Sequence, residues 1–155
     1  MPQFDTFRDF LDKAVLDIGK RLAQIELFPS EDDQRFDKNP DALYLSTDFK
    51  INPPSNLLLQ GDASLFEEIA KKMKRSAPED LEETMEYMKE FFNILYGNAI
   101  STYNRNTKNS VCLGLSEWLQ SLPNMNDYPY ASAPKCFYRS AVGCMRIFCV
   151  PQNNN

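Results

Sequence analysis

Apolar residues recur at three- and four-residue steps in two long stretches of the chain. In the first, Phe4, Phe7, Leu11, Ala14, Val15, Ile18 and Leu22 line up on one side, which predicts an amphipathic helix over residues 3 to 24. In the second, Leu81, Met85, Met88, Phe92, Leu95 and Ala99 form an apolar stripe, widened by Phe91 and Tyr96. This predicts a helix from Pro78 to about Arg105. Ser76 stands three residues before Glu79, a capping-box spacing, with Pro78 in the first turn. The acidic run Glu79, Asp80, Glu82 and Glu83 suits the positive end of the helix dipole.

Between the two long helices the period changes to two. Residues 25 to 28 alternate briefly. Residues 29 to 40 are charged and proline-flanked, and read as a loop. Residues 41 to 51 read as a strand, with Leu43, Leu45 and Thr47 alternating with Tyr44 and Ser46. Leu57 to Gln60 is a short apolar run after the Pro53-Pro54 break, so the two runs predict a hairpin. Ser64 and Glu67 make a second capping-box spacing before a short helix to about Lys74. After the second long helix, Ser110 to Ser116 predicts a strand with Val111, Leu113 and Leu115 on one face. Residues 117 to 134 read as a long connection. Lys135 to Ala141 and Cys144 to Val150 read as a hairpin. The expected fold class is α+β: a mixed or antiparallel sheet with long helices packed on one face. Residues 1–150 are expected to be one domain and 151–155 a frayed tail.

Composition narrows the chemistry. A net charge of −5 and the lack of a basic patch, apart from Lys71, Lys72, Lys74 and Arg75 at a helix end, argue against nucleic acid as a partner. No run approaches the ~20 apolar residues that span a bilayer, and no apolar leader core is visible, so no membrane partner and a cytoplasmic location are expected. The chain has no His, which excludes Ser-His-Asp and Cys-His catalysis. Its four cysteines form no CxxC pair, so no metal site is expected. Cys112, Cys136 and Cys149 lie in apolar strand runs and are expected to be buried free thiols.

The outer side of the second long helix is where a fold-only reading falls short. Glu86, Glu90, Asn93 and Gly97 step by four, three and four residues, so they share one strip. Tyr87 and Ile94 flank it where a purely solvated face would carry charge. Ten Glu and thirteen Asn make about one Glu-x-x-Asn expected by chance, and Glu90–Asn93 is the one instance.

That pair lies in Glu90-Phe-Phe-Asn93-Ile-Leu-Tyr-Gly97-Asn98-Ala99, preceded by a strand, Gly61-Asp-Ala-Ser64 and a short helix, and followed by an apolar strand. This arrangement resembles the CheC/CheX/FliY family of chemotaxis phosphatases, and within it the CheX type. The likeness is best from about Leu57 to Ser116. The family pattern places Asp or Ser four residues before the Glu, where this chain has Glu86. It places a proline some twenty residues after the Asn, where this chain has Ser116, with Pro123 seven residues later.

The resemblance implies a single CheX-like domain that hydrolyses the aspartyl phosphate of a CheY-like response regulator. In that role Glu90 would grip a partner lysine and Asn93 would orient the attacking water. Glu86, Tyr87, Ile94 and Gly97 would contact the partner. No cofactor is expected on this chain; Mg is expected on the regulator. One site per chain is implied, because the first long helix offers only Asp17-Ile-Gly-Lys20, which lacks the amide. The resemblance also makes a homodimer through sheet edges an expectation. The competing reading is a non-catalytic module of the same fold that binds a regulator or other signalling partner. A small-molecule sensor has no polar constellation behind it.

Overall fold

The computed structural model describes residues 2–31, 41–120 and 130–152. Among them are three helices, α1 (Pro2–Ala23), α2 (Ala63–Lys74) and α3 (Leu81–Thr107). The strands are β1 (Phe28–Ser30), β2 (Leu43–Lys50), β3 (Ser55–Gly61), β4 (Cys112–Leu119), β5 (Lys135–Arg139) and β6 (Cys144–Pro151). They form one sheet in the order β1-β5-β6-β3-β2-β4, and every neighbouring pair is antiparallel. The two predicted hairpins, β2–β3 and β5–β6, are both present.

The helices cover one face of that sheet. Leu45, Phe49, Leu57, Leu59, Cys136, Tyr138, Ile147 and Cys149 point toward them, and meet Phe4, Phe7 and Leu11 of α1, Phe66 of α2, and Phe92 and Tyr96 of α3 in one core. Aromatic rings carry much of the contact between α1 and α3. Tyr103 stands edge-on to Phe7 at 5.5 Å and to Phe10 at 5.7 Å. Rings buried in such pairs contribute ~0.5–1.5 kcal/mol beyond their area. Alternate strand residues, among them Tyr44, Leu58, Phe137, Phe148 and Val150, form a second cluster on the other face.

Several local expectations are corrected. Helix α3 begins at Leu81, with Asp80 rather than Ser76 as its N-cap. Asp80 is extended, its carboxylate accepts from the Glu83 N–H at 2.8 Å, and Glu83 in turn accepts from the Glu79 N–H at 3.1 Å. Asp is a strong cap, and this pairing leaves Pro78 outside the helix. Leu81, read as core, is 46% exposed because it is the first residue of the helix. The second capping box does not form. Helix α2 starts at Ala63 after Asp62, whose carboxylate accepts from the Cys144 N–H at 2.8 Å, while the Ser64 hydroxyl donates to the Val142 carbonyl.

The brief strand expected at residues 25 to 28 starts later. Gln24, in the left-handed region, instead donates its N–H to the Lys20 carbonyl and Ile25 donates to the Gly19 carbonyl, which closes the helix, so pairing begins at Phe28. Strand β4 runs on to Leu119, taking in Trp118. It carries a bulge: Thr47 faces Ser116 and Phe49 faces Leu113, so Asp48 alone opposes Gly114 and Leu115. A Cβ on Gly114 would lie 2.3 Å from Asp48 Oδ2, which requires glycine there. Past the bulge the alternation flips. Trp118 joins Leu113 against the core, while Leu115, read as sharing that face, is 89% exposed. Cys112 is exposed rather than buried, because it is the alternate residue to Val111 on an edge strand. The rest of the expected loops at 29 to 40 and 117 to 134, Pro123 included, falls largely outside the described residues.

Candidate functional site

The site is the outer strip of α3. Its position follows from the buried side: Met85, Met88, Phe92, Leu95 and Ala99 are almost wholly enclosed, so residues on the opposite arc face solvent. Glu86, Glu90, Asn93, Ile94, Gly97 and Asn98 are all exposed, and Tyr87 is half-buried. The six residues singled out by spacing therefore do share one surface. Ile94 remains 41% exposed, a large apolar side chain beside the carboxylate–amide pair.

The acidic residues of α3 differ in what holds them. Asp80 caps the helix. Glu83 pairs with Lys74 of α2, which draws its carboxyl below the usual range, chiefly through that hydrogen bond. Lys74 also donates to the Ala77 carbonyl, so this pair fastens the α2–α3 connection. Glu86 lies 3.4 Å from Lys89 Nζ. Glu90 has no ion pair or hydrogen bond with any described residue, and neither has the Asn93 side chain. Side chains on a helix lean toward its N-terminus, so the Asn93 amide lies over the turn that carries Glu90. Together they present one acceptor-only group beside one that both donates and accepts.

Gly97, one turn further on, could have been required for close packing. It is not: a Cβ built there meets nothing within 4 Å. Toward the helix start, Asp80, Glu82, Glu83, Glu86, Tyr87 and Glu90 line an open groove of about 540 Å³. Ser116, which takes the place of the expected proline, bonds to the Thr47 hydroxyl at 2.8 Å inside the sheet.

The described cysteines do not form a competing chemical centre. Cys136, Cys144 and Cys149 are buried. Burial pushes the thiols of Cys136 and Cys149 up to about 11, which leaves them protonated and unreactive. Among the described residues no three His, Cys, Asp or Glu side chains group to hold a metal ion, and no helix is long and apolar enough to cross a membrane. Lys89 also borders the strip, and its three-residue spacing from Glu86 is the sequence signal for it.

Comparison with known proteins gives the fold a setting. No family model and no curated protein matches the chain. Solved structures do. The chemotaxis protein CheX from Vibrio vulnificus superposes with a TM-score of 0.73 at 17% identity, covering 93% of this chain and 95% of that one. A CheC-like superfamily protein from Shewanella sp. PV-4 gives 0.68 at 18%, covering 93% and 96%. CheX in a CheX–CheY–BeF3–Mg2+ complex from Borrelia burgdorferi gives 0.62 at 13%, covering 97% of each chain. The chain has the α+β fold of the CheC/CheX/FliY proteins.

Proposed function

We propose that this protein accelerates hydrolysis of the aspartyl phosphate on a CheY-like response regulator. The observation that carries the reading is that Glu90 and Asn93 are exposed and one helical turn apart, and that their side chains bond to no other described residue. The fold supports it, since a structural neighbour covering 97% of each chain comes from a complex of CheX with CheY, BeF3 and Mg2+.

The chemistry asks little of the helper protein. Attack on an acyl phosphate needs a positioned water and neutralised charge, and the regulator brings the metal and a cation of its own. Asn93 can accept from the water with its carbonyl and donate to a phosphoryl oxygen with its amide, which orients the nucleophile. Glu90 pairs with a regulator lysine through a charge-assisted hydrogen bond, so docking and water placement are one event. Ile94 and Tyr87 supply apolar contact at the rim, and the space over Gly97 admits the regulator's backbone. No covalent intermediate on this chain is involved. Two copies pairing through a sheet edge is a separate part of the proposal, tested by sedimentation.

A binding-only reading has one observation in its favour: Glu86 and Ser116 replace the residues that the family pattern has there. Mixing the protein with phosphorylated receiver domain and following phosphate release separates the two. Faster release than receiver alone, lost in Asn93→Ala, is the expected result. Unchanged release with the wild-type chain would leave only binding. Acceleration that survives Asn93→Ala would remove the amide from the mechanism.

A further inference from the structure

Lys89 is a cation on the same helix as the proposed site, and among the described residues it makes one ion pair. Its side chain is about one-third exposed (31%), and Glu86 is its one ion-pair partner among the described residues, at 3.4 Å. By contrast Lys74 ties two helices together through Glu83 and the Ala77 carbonyl. Lys89 lies one turn before Asn93 and three residues after Glu86, so it borders the strip on the amide side.

The lean of helical side chains decides what an incoming partner meets. The Glu90 carboxylate lies over the turn of Glu86 and Tyr87, and all three line the same groove. A cation that reaches Glu90 therefore also comes within the field of Glu86. Lys89 already occupies that field. We propose that Lys89 is a built-in competitor for the partner's cation: it screens Glu86, leaves Glu90 as the free carboxylate of the pair, and so sets how basic a receiver surface must be to dock. This rests on the receiver-docking reading of the strip. Lys89 acts through Glu86 and is a positioning residue, not one that touches the phosphoryl group.

The test uses a CheY-like receiver domain in its BeF3−·Mg2+ form, titrated with the wild-type chain, Lys89→Met, Lys89→Arg, Glu86→Gln and the Glu86→Gln/Lys89→Met double variant. Exposed pairs of this kind shift equilibria modestly, so Lys89→Met is expected to tighten binding about threefold at low salt. The gain should shrink at roughly 0.5 M salt, where charges several ångströms apart are screened. Lys89→Arg should bind like wild type, and removing Lys89 should change nothing once Glu86 is Gln. With phosphorylated receiver, the shift should fall on the concentration giving half-maximal phosphate release. Unchanged or weaker binding by Lys89→Met overturns the proposal, and so does a gain that persists in the Glu86→Gln background. If the wild-type chain neither binds nor dephosphorylates the receiver, the docking reading falls and this inference falls with it. Wild-type binding with an unresponsive Lys89 removes the inference alone.

Discussion

Helices α1 and α3 lie side by side on the same sheet, both amphipathic and both with a polar outer side, yet their outer sides have opposite characters. On α1 most polar groups are committed. Asp17 pairs with Arg21 at 3.0 Å, Lys20 with Glu26, Arg8 donates to the Lys135 carbonyl, and Asp12 accepts from the Tyr138 hydroxyl at 2.7 Å. On α3, the side chains of Glu90 and Asn93 bond to no other described residue. The glycines repeat the contrast. A Cβ on Gly19 would sit 3.0 Å from the Ile25 carbonyl oxygen, whereas one on Gly97 would meet open space. The fold accounts for Gly19 and does not account for Gly97. Polar residues that the structure already employs need no further purpose; those it leaves idle on a rigid helix are where a partner should be sought.

The comparison can be broken at either helix. The largest effect should come from Asn93→Ala, which is expected to reduce accelerated phosphate release by about 100-fold, the scale of a misplaced reactant. Stability should move by less than ~0.5 kcal/mol, because the side chain is exposed and bonds to no other described residue. A large loss of urea stability would show that Asn93 belongs to the fold after all. Glu90→Gln removes a charge-assisted contact and should weaken receiver binding by roughly tenfold, read by titration, with the urea midpoint again unmoved.

The two glycines then predict opposite signs. Gly19→Ala forces a methyl against the Ile25 carbonyl and should destabilise by about 1 to 3 kcal/mol. Gly97→Ala should stabilise by up to roughly 1 kcal/mol through helix propensity, while weakening receiver docking. A stability loss at Gly97 would erase the distinction between them. The smallest effect is at Asp12. Burial raises its carboxyl above the ordinary 3.8, outweighing its hydrogen bond from Tyr138. The native state therefore holds the proton more readily than the unfolded chain, and this group's contribution falls as pH rises through the raised value. Asp12→Asn, which keeps an acceptor for Tyr138, should flatten that dependence. Thermal midpoints at mildly acidic and neutral pH would reveal it, and a variant less stable at neutral pH would reverse the sign.

Period was the legible part of this chain. The three- and four-residue stripes located α1 and α3, and the alternation at Leu43 to Thr47 located β2, because burial of one face is a repeating constraint. The shared strip from Glu86 to Gly97 was legible for the same reason. Events decided by a single contact were not. Asp80 displaced Ser76 as cap through one bond to Glu83, and the bulge opposite Asp48, where only glycine fits at Gly114, turned Leu115 outward. The commitments of Glu83 and Glu86 to lysines, which isolate Glu90, are likewise three-dimensional facts. Spacing could place those carboxylates together but could not say which one was free.

All three helices end on a left-handed residue that is not glycine: Gln24 (φ 56°), Arg75 (φ 66°) and Lys108 (φ 58°). That conformation costs an L-residue ~1–2 kcal/mol relative to the right-handed form, and glycine adopts it freely. The chain therefore carries unused headroom at three places remote from Asn93. Installing glycine at one or more of them would give a sturdier background, in which damaging changes on the α3 strip could be studied without losing the folded protein.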